Sequence, residues 1–241
     1  MDEDFSRRVL LCMDAKGYSD RNDIEQHELQ QVLINVIKAA AGEAGLDRRQ
    51  WDVQSTGDGE LAVLPQDSAE WTVIDEFPAA LSGALTVHNS DRRDHARLRM
   101  RLAIHQGLVR RADGGYAGQG VVTVSRMVDS AQARQALIAC PTADLVVLLS
   151  PSLFNEVVLQ RHTHLSSKDF REVSIRNKKF HSSAWLYVPG HDVHKLRLDE
   201  PAARKEDEKT ESNLNATVIN NIQEIHGDNP VIGIQNLNRR G

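Results

Sequence analysis

Two aspartates in glycine-bearing contexts are the residues of this sequence best placed to do chemistry. Asp14 ends an apolar run, Val9-Leu10-Leu11-Cys12-Met13-Asp14, and is followed by Ala15-Lys16-Gly17-Tyr18-Ser19. Asp58 sits in Thr56-Gly57-Asp58-Gly59, between two further strand-like runs. A carboxylate at a strand end and another at a hairpin tip can meet in space. Two carboxylates with little else are how proteins hold Mg²⁺ on the phosphates of a nucleotide. The plainer readings are Asp14 as a helix or turn cap and Asp58 as an ordinary turn residue.

Positioning those two groups requires a sheet. Arg8 to Met13 reads as a short, fully buried strand. A helix follows, with Ile24, Leu29, Val32, Leu33, Val36, Ile37 and Ala40 as its apolar stripe, Asp23 and Gln26 as a capping box, and Gly42 and Gly45 ending it. Trp51 to Ser55 and Glu60 to Leu64 read as a hairpin around Gly57-Asp58-Gly59, where Asp-Gly signals a turn with positive φ. A second helix is expected over about 69–87. Arg97 to Val109 alternates, with Leu98, Met100, Leu102 and Ile104 on one side and Arg99, Arg101 and His105 on the other, as in a half-buried strand. Residues 112–120 hold four glycines and read as a loop. Val121, Val124, Val128 and Ala131 mark a third helix. Leu145 to Leu149 is a strand, Pro151 to Leu159 a helix with Ser150 as N-cap, and Phe170 to Ile175 and Ala184 to Val188 are closing strands. The order β-α-β-β-α-β-α-β-α-β-β gives an α+β or mixed α/β sandwich.

The 241 residues, 40% hydrophobic and 26% charged, suit one soluble globular core with a tail or small second unit. A net charge of -5 argues against a broadly basic nucleic-acid binder and leaves a single nucleotide open as ligand. No apolar run approaches the length of a membrane span. Met1-Asp2-Glu3-Asp4 lacks a hydrophobic signal segment. Cys12 and Cys140 lie in apolar surroundings and read as buried thiols of a reducing cytoplasm. His105 reads as a structural strand residue, and His162, His164, His191 and His194 as surface groups without metal-ligand spacing. The expected domain spans 1–192. A charged linker, 193–212, follows it. Residues 213–241 form an Asn-rich, β-prone tail containing Val231-Ile232-Gly233-Ile234-Gln235-Asn236. That tail reads as a docking strand, a disordered segment or a self-templating amyloid-type motif.

Four blocks of this sequence resemble the class III nucleotidyl cyclases, the adenylyl/guanylyl cyclase catalytic domain. They are Met13-Asp14-Ala15-Lys16-Gly17-Tyr18-Ser19, Ser55-Thr56-Gly57-Asp58-Gly59, Leu102-Ala103-Ile104-His105-Gln106-Gly107, and the stretch from Gly118 to Met127. Their order and spacing fit over residues 8–188. Trp51-Asp52 and His88-Asn89 look like a divergent actinobacterial branch. The resemblance implies a ferredoxin-like, cyclase-type mixed sheet covered by helices, in an α+β domain with a flexible C-terminal tail. It also implies conversion of a nucleoside triphosphate to a 3′,5′-cyclic nucleotide and pyrophosphate at a homodimer interface. Two Mg²⁺ or Mn²⁺ ions, about 3.5–4 Å apart, would be held by Asp14, Asp58 and the backbone carbonyl of Ala15. The N–H groups of Gly17, Tyr18 and Ser19, near a helix start, would take phosphate oxygens, with Lys179 (or Lys178) as a late phosphate ligand. Arg126, about 140° from its helix's apolar stripe at about 100° per residue, would reach the partner subunit's site and steady charge on the transferring phosphoryl group.

Three positions depart from the family pattern. Val122 replaces the ribose-binding Asn four residues before Arg126. Gln54 and Gly115 stand at the base-selecting positions in place of the usual Lys or Glu and Asp or Cys. The base pocket is thus of neither standard type, and a pyrimidine nucleotide becomes a candidate. The competing expectation is a cyclase-like domain that no longer catalyses and binds a nucleotide or a protein. With either, residues 213–241 would recruit an effector, in an antiviral defence role by analogy.

Overall fold

The computed structural model describes residues 4–113, 115–177 and 180–199. Among the described residues the strands and α-helices follow in the order β1 (Ser6–Ala15), α1 (Asp23–Glu43), β2 (Asp52–Ser55), β3 (Gly59–Val63), α2 (Phe77–Asn89), β4 (Met100–Ala112), β5 (Gly115–Ala117), α3 (Gln119–Val128), α4 (Ala131–Ala139), β6 (Leu145–Leu149), α5 (Pro151–Leu153), β7 (Arg171–Asn177) and β8 (Phe180–Tyr187). The sheet runs β2-β3-β1-β4-β6-β8-β7, with β5 paired to β4 alone. Only β4 and β6 are parallel neighbours. The first half, β1-α1-β2-β3-α2-β4 in the order β4-β1-β3-β2, is the ferredoxin-like split βαβ arrangement.

Two cores sandwich the sheet. One joins α1 and α2 to Val9, Leu11, Met13, Met100, Leu102 and Ile104. The other joins α3 and α4 to Leu10, Cys12, Leu61, Val63, Ala103 and Val146. Strand β1 alternates between them with its period of two. Strand β4 reads as half-buried in sequence, yet Met100 to Ile104 is buried on both faces. Arg99 and Arg101 misled that reading, because both are turned inward. Arg99 donates to the carbonyls of Leu137, Cys140 and Ala143, which pins the loop after α4.

Several expectations shift locally. Helix α1 is capped by Asn22, with Glu25 completing the box, one residue before the expected pair. Ile24 therefore falls off the inner stripe and is exposed. The second helix begins with a π-helical turn, Thr72–Glu76, placed just before Pro78, which cannot donate a backbone hydrogen bond. Residues 115–117 form β5 rather than loop. The third helix breaks at Asp129-Ser130, where the Ser130 hydroxyl accepts from Ala133 N–H and starts α4. Ser150 sits at its expected cap position but bonds Ser152 instead of the backbone. The closing hairpin is longer than expected, pairing Arg171–Asn177 with Phe180–Tyr187. Past residue 192 the chain stays on the body: Leu196 O accepts from Arg171, and Asp199 N–H donates to Gln135. Lys178, Lys179, the rest of the charged stretch to 212 and the tail 213–241 lie outside the described residues.

The β2–β3 turn carries two different glycine requirements. Thr56 N–H bonds Gly59 O at 3.0 Å, and the positive φ falls on Gly57 (φ 90°), not on Gly59. Gly59 is needed for space: a Cβ there would lie 1.8 Å from the Met13 carbonyl oxygen. Gly59→Ala is therefore expected to destabilise the domain by about 3 kcal/mol or more, through forced separation of β1 and β3. Gly57→Ala should cost about 1–2 kcal/mol. Urea midpoints of the two variants check the order.

Candidate functional site

The register of three strands places the first aspartate. Asp14 stands opposite Gly59 on β3 and Arg101 on β4. Ala15 N–H donates to Asp58 O at 2.8 Å, tying the hairpin tip to the end of β1. Asp14 lies on the same sheet face as Cys12, Leu61 and Ala103, the face covered by α3 and α4. Asp58 stands at the hairpin tip, one residue before the Gly59 that faces Asp14.

The electrostatics at this point are unusual for a sheet interior. Arg101 is buried and pairs with Asp14 through Oδ2. Asp14 Oδ1, Arg101 Nε and Arg101 Nη1 are buried without partners among the described residues. Burial lowers the Arg101 pKa to about 10, with Arg134 adding a like charge, so the group stays charged at neutral pH. Buried polar atoms without partners are costly, and all three here belong to this one ion pair. Burial pushes the Cys12 thiol up to about 11, which leaves it protonated and inert. Both cysteines are buried and free.

Whether a divalent cation fits is answered by the acceptors. Asp14 Oδ1 lacks a donor, and the half-buried Asp58 carboxylate accepts no hydrogen bond among the described residues. Both suit a hard cation with oxygen ligands. Among the described residues no three His, Cys, Asp or Glu side chains converge, so the set would be completed by oxygens of a ligand.

The loop after β1 differs from its expected form. Helix α1 starts at Asp23, and its first N–H groups are already taken by the Asn22 side chain. The phosphate-type cradle, Gly17, Tyr18 and Ser19, is thus a turn of its own, with Gly17 at φ 75°. Its three N–H groups meet no backbone acceptor among the described residues. Tyr18 is anchored: Gln30 donates to its hydroxyl at 2.7 Å, and its ring packs on the α1 core.

At the other end of the same face, Gln54 and Gly115 come together. A Cβ on Gly115 would lie 2.7 Å from Gln54 Oε1. They line a cavity of about 200 Å³ with Asp52, Leu61, Arg111 and Tyr116. Gln54 pairs with Leu61, two residues along β3 from the Gly59 that faces Asp14, so strand spacings put the cavity's Leu61 about 8 Å and Gln54 about 12 Å from Asp14.

Helix α3 crosses β4 closely at Gly107 and Gly120, where a Cβ on Gly107 would lie 2.8 Å from Gly120 Cα. Gly120, Val124, Met127 and Val128 face inward. Val122 and Arg126 therefore share the outer stripe. Val122 is 44% exposed, and Arg126 has no carboxylate partner among the described residues. Lys179 lies outside the described residues. Asn89 is structural: its amide exchanges two hydrogen bonds with the backbone of Leu98. His191 and His194 also serve the fold, bonding Thr142 and Lys168 O.

Sequence reading missed Arg101 at this site, and Asp52, Arg111 and Tyr116 at the cavity. Alternation alone puts Arg101 on the polar side of β4. Only the register that faces it to Asp14 shows its place.

No known family model matches the chain, and no curated protein does. Solved structures match in fold. An adenylate/guanylate cyclase/hydrolase from Silicibacter pomeroyi superposes with a TM-score of 0.57 at 19% identity, covering 78% of this chain and 99% of that one. The guanylyl cyclase Cya2 gives 0.53 at 13%, covering 83% and 100%. The catalytic core of a rhodopsin-guanylyl cyclase with converted specificity, in complex with ATPαS, gives 0.51 at 14%, covering 76% and 96%. The described domain has the fold of class III adenylate/guanylate cyclase catalytic domains.

Two predictions follow from the charges. Asp14→Ala leaves the buried Arg101 unpaired and should cost about 3–5 kcal/mol in urea denaturation, while Asp14→Ala with Arg101→Met recovers most of it. Equal stability of Asp14→Ala and parent would contradict the pairing. His105 is held near pKa 4, chiefly by burial and then by Arg7. Its unfolded-state pKa is about 6.5. The unfolded chain binds the proton first, so this contribution is complete above pH 6.5. It is lost as pH falls from 6.5 through 4. The loss is about 3 kcal/mol, and His105→Gln should flatten that part of the stability profile.

Proposed function

We propose that the domain is a nucleotidyl cyclase, turning a nucleoside triphosphate into a 3′,5′-cyclic nucleotide and pyrophosphate. The observation that carries this reading is the shared sheet face, with Asp14 and Asp58 at one end and the Gln54–Gly115 cavity at the other. A triphosphate laid along it would put its base in the cavity and its phosphates near Asp14, Asp58 and the 17–19 turn. The fold likeness to adenylate/guanylate cyclases supports the assignment. A neighbour of that fold was solved with ATPαS.

In the reaction, the ribose 3′-oxygen attacks the α-phosphorus, the bond to the β-phosphate breaks, and pyrophosphate leaves. Divalent cations, Mg²⁺ or Mn²⁺, held by Asp14 and Asp58 would supply acidification of the 3′-hydroxyl and charge neutralisation on the phosphates. The free N–H groups of residues 17–19 bind phosphate oxygens. Arg101 holds the Asp14 carboxylate in position through its pair with Oδ2. Arg126 points away from its own core, and the exposed Val122 beside it suits a face shared with a second copy. Arg126 would then stabilise charge in the partner's site. Lys179 would be a late phosphate ligand. Residues 213–241 would recruit an effector, in a signalling role that includes antiviral defence.

A second reading has its own observation. Arg101 already neutralises Asp14, and Val122 cannot hydrogen-bond a ribose, as in a domain that binds a nucleotide without turnover. Incubation with ATP, GTP, CTP and UTP plus Mn²⁺, followed by mass spectrometry, separates the two. A cyclic product reduced by about 100-fold or more in Asp58→Ala is the expected outcome. No product from any triphosphate, from protein shown to be dimeric, favours the second reading.

A further inference from the structure

We infer that the cavity selects a keto base, guanine or uracil, over adenine and cytosine, and that Arg111 is the selecting residue. The inference rests on the proposed placement of the base in this cavity. It deepens that reading by naming the chemistry of the base.

Hydrogen-bonding capacity decides the argument. Tyr116 hydroxyl donates to Asp52 Oδ2 at 2.7 Å. Arg111 Nη2 lies 3.3 Å from Asp52 Oδ1. Each carboxylate oxygen of Asp52 already takes one of the chain's own donors, which leaves the Arg111 guanidinium, with its remaining N–H groups, as the cavity's donor group. Gln54 makes no hydrogen bond to the described residues. Its amide carries a donor and an acceptor side by side, and a half-turn of the terminal torsion exchanges them. Every base presents an adjacent donor and acceptor on its distal edge, so Gln54 accepts all four.

Discrimination falls to a group that cannot reverse. The Arg111 guanidinium donates and never accepts. It lines the cavity and is oriented by Asp52, which is itself fixed by Tyr116. A carbonyl on the distal edge, O6 of guanine or O4 of uracil, meets those donors well, and arginine reads guanine by this chemistry in nucleic acids. Adenine and cytosine place an amino group at that position. N–H would then face N–H, and the hydrogen bond that a carbonyl makes there would be missing. Gly115 completes the arrangement: with a Cβ 2.7 Å from Gln54 Oε1, any larger residue there would push the amide out of the cavity.

The test uses the full chain and the α,β-methylene triphosphates of all four bases, with Mg²⁺, in calorimetric titration. Turnover of the natural triphosphates is measured in parallel. The guanine or the uracil analogue, or both, should bind about tenfold or more tightly than the adenine and cytosine analogues. Arg111→Met should remove that preference by weakening keto-base binding while leaving amino-base binding in place. Arg111 is exposed on the β4–β5 hairpin, so an unchanged denaturation midpoint is expected. Tyr116→Phe, which frees Asp52, should narrow the preference as a second check. Which of the two keto analogues binds settles the ring size. Equal binding of the four, a preference for amino bases, or a preference that survives Arg111→Met would overturn the inference and leave the cyclase reading standing. Keto-selective binding without turnover would uphold the inference and remove catalysis. No binding of any analogue would overturn both.

Discussion

The close approach of β3 to β1 at Gly59 is the constraint on which the rest depends. Only a residue without a side chain lets the hairpin backbone lie against the Met13 carbonyl. That contact sets Asp58 O on Ala15 N–H and brings the hairpin tip to the end of β1. From the other side, the β1–β4 register sets Arg101 against Asp14. Three strands therefore converge their polar residues at one point of a sheet that is otherwise sealed by two apolar cores. A buried ion pair of this kind is costly to desolvate. The stability it forgoes is consistent with a place kept for binding rather than for packing.

The same face carries a gradient of chemistry. At the β1 end are carboxylates, a buried guanidinium and unpaired N–H groups, all suited to phosphate and its counter-ions. One to two residue pairs along β3, the lining becomes an amide, a phenol–carboxylate–guanidinium set and aliphatic side chains. The overall charge of -5 hides this arrangement, because the cationic groups that matter are few and local. The outer stripe of α3 adds Arg126, aimed away from its own chain's core. The proposed nucleotide, with its reactive end shared between two copies, would account for these placements.

Much of this was legible in the sequence, and the failures have physical causes. Strand β6 and the β2–β3 hairpin follow from apolar runs and turn chemistry, which are local. The capping error by one residue arose because Asn22 and Asp23 are both good caps and only the helix phase decides between them. Strand β5 was hidden in a glycine-rich stretch, since its pairing with the end of β4 is a tertiary fact. The break between α3 and α4 was masked because Val128 and Ala131 continue a helical spacing across Ser130. The aspartates and Gln54 with Gly115 were visible through motif spacing. Arg101, Tyr116, Asp52 and Arg111 were not, because their partners lie 59 to 87 positions away, across strands whose register the sequence does not state. Thus Arg101 meets Asp14 at a separation of 87 and Tyr116 meets Asp52 at 64. The 17–19 turn lies near the start of α1 as its motif suggests, with Asp20-Arg21-Asn22 between them and Asn22 taking the helix's first N–H groups.

The central claim is that Asp14, Asp58 and the cavity beside Gln54 serve one metal–nucleotide complex. Electron paramagnetic resonance of Mn²⁺, titrated into the full chain with an uncleavable triphosphate, tests it most directly. The account predicts Mn²⁺ bound beyond what the nucleotide alone holds, in a spin-coupled pair, with the excess lost in Asp58→Ala. A Mn²⁺ signal identical to that of the free nucleotide complex, in parent and variant alike, would contradict it.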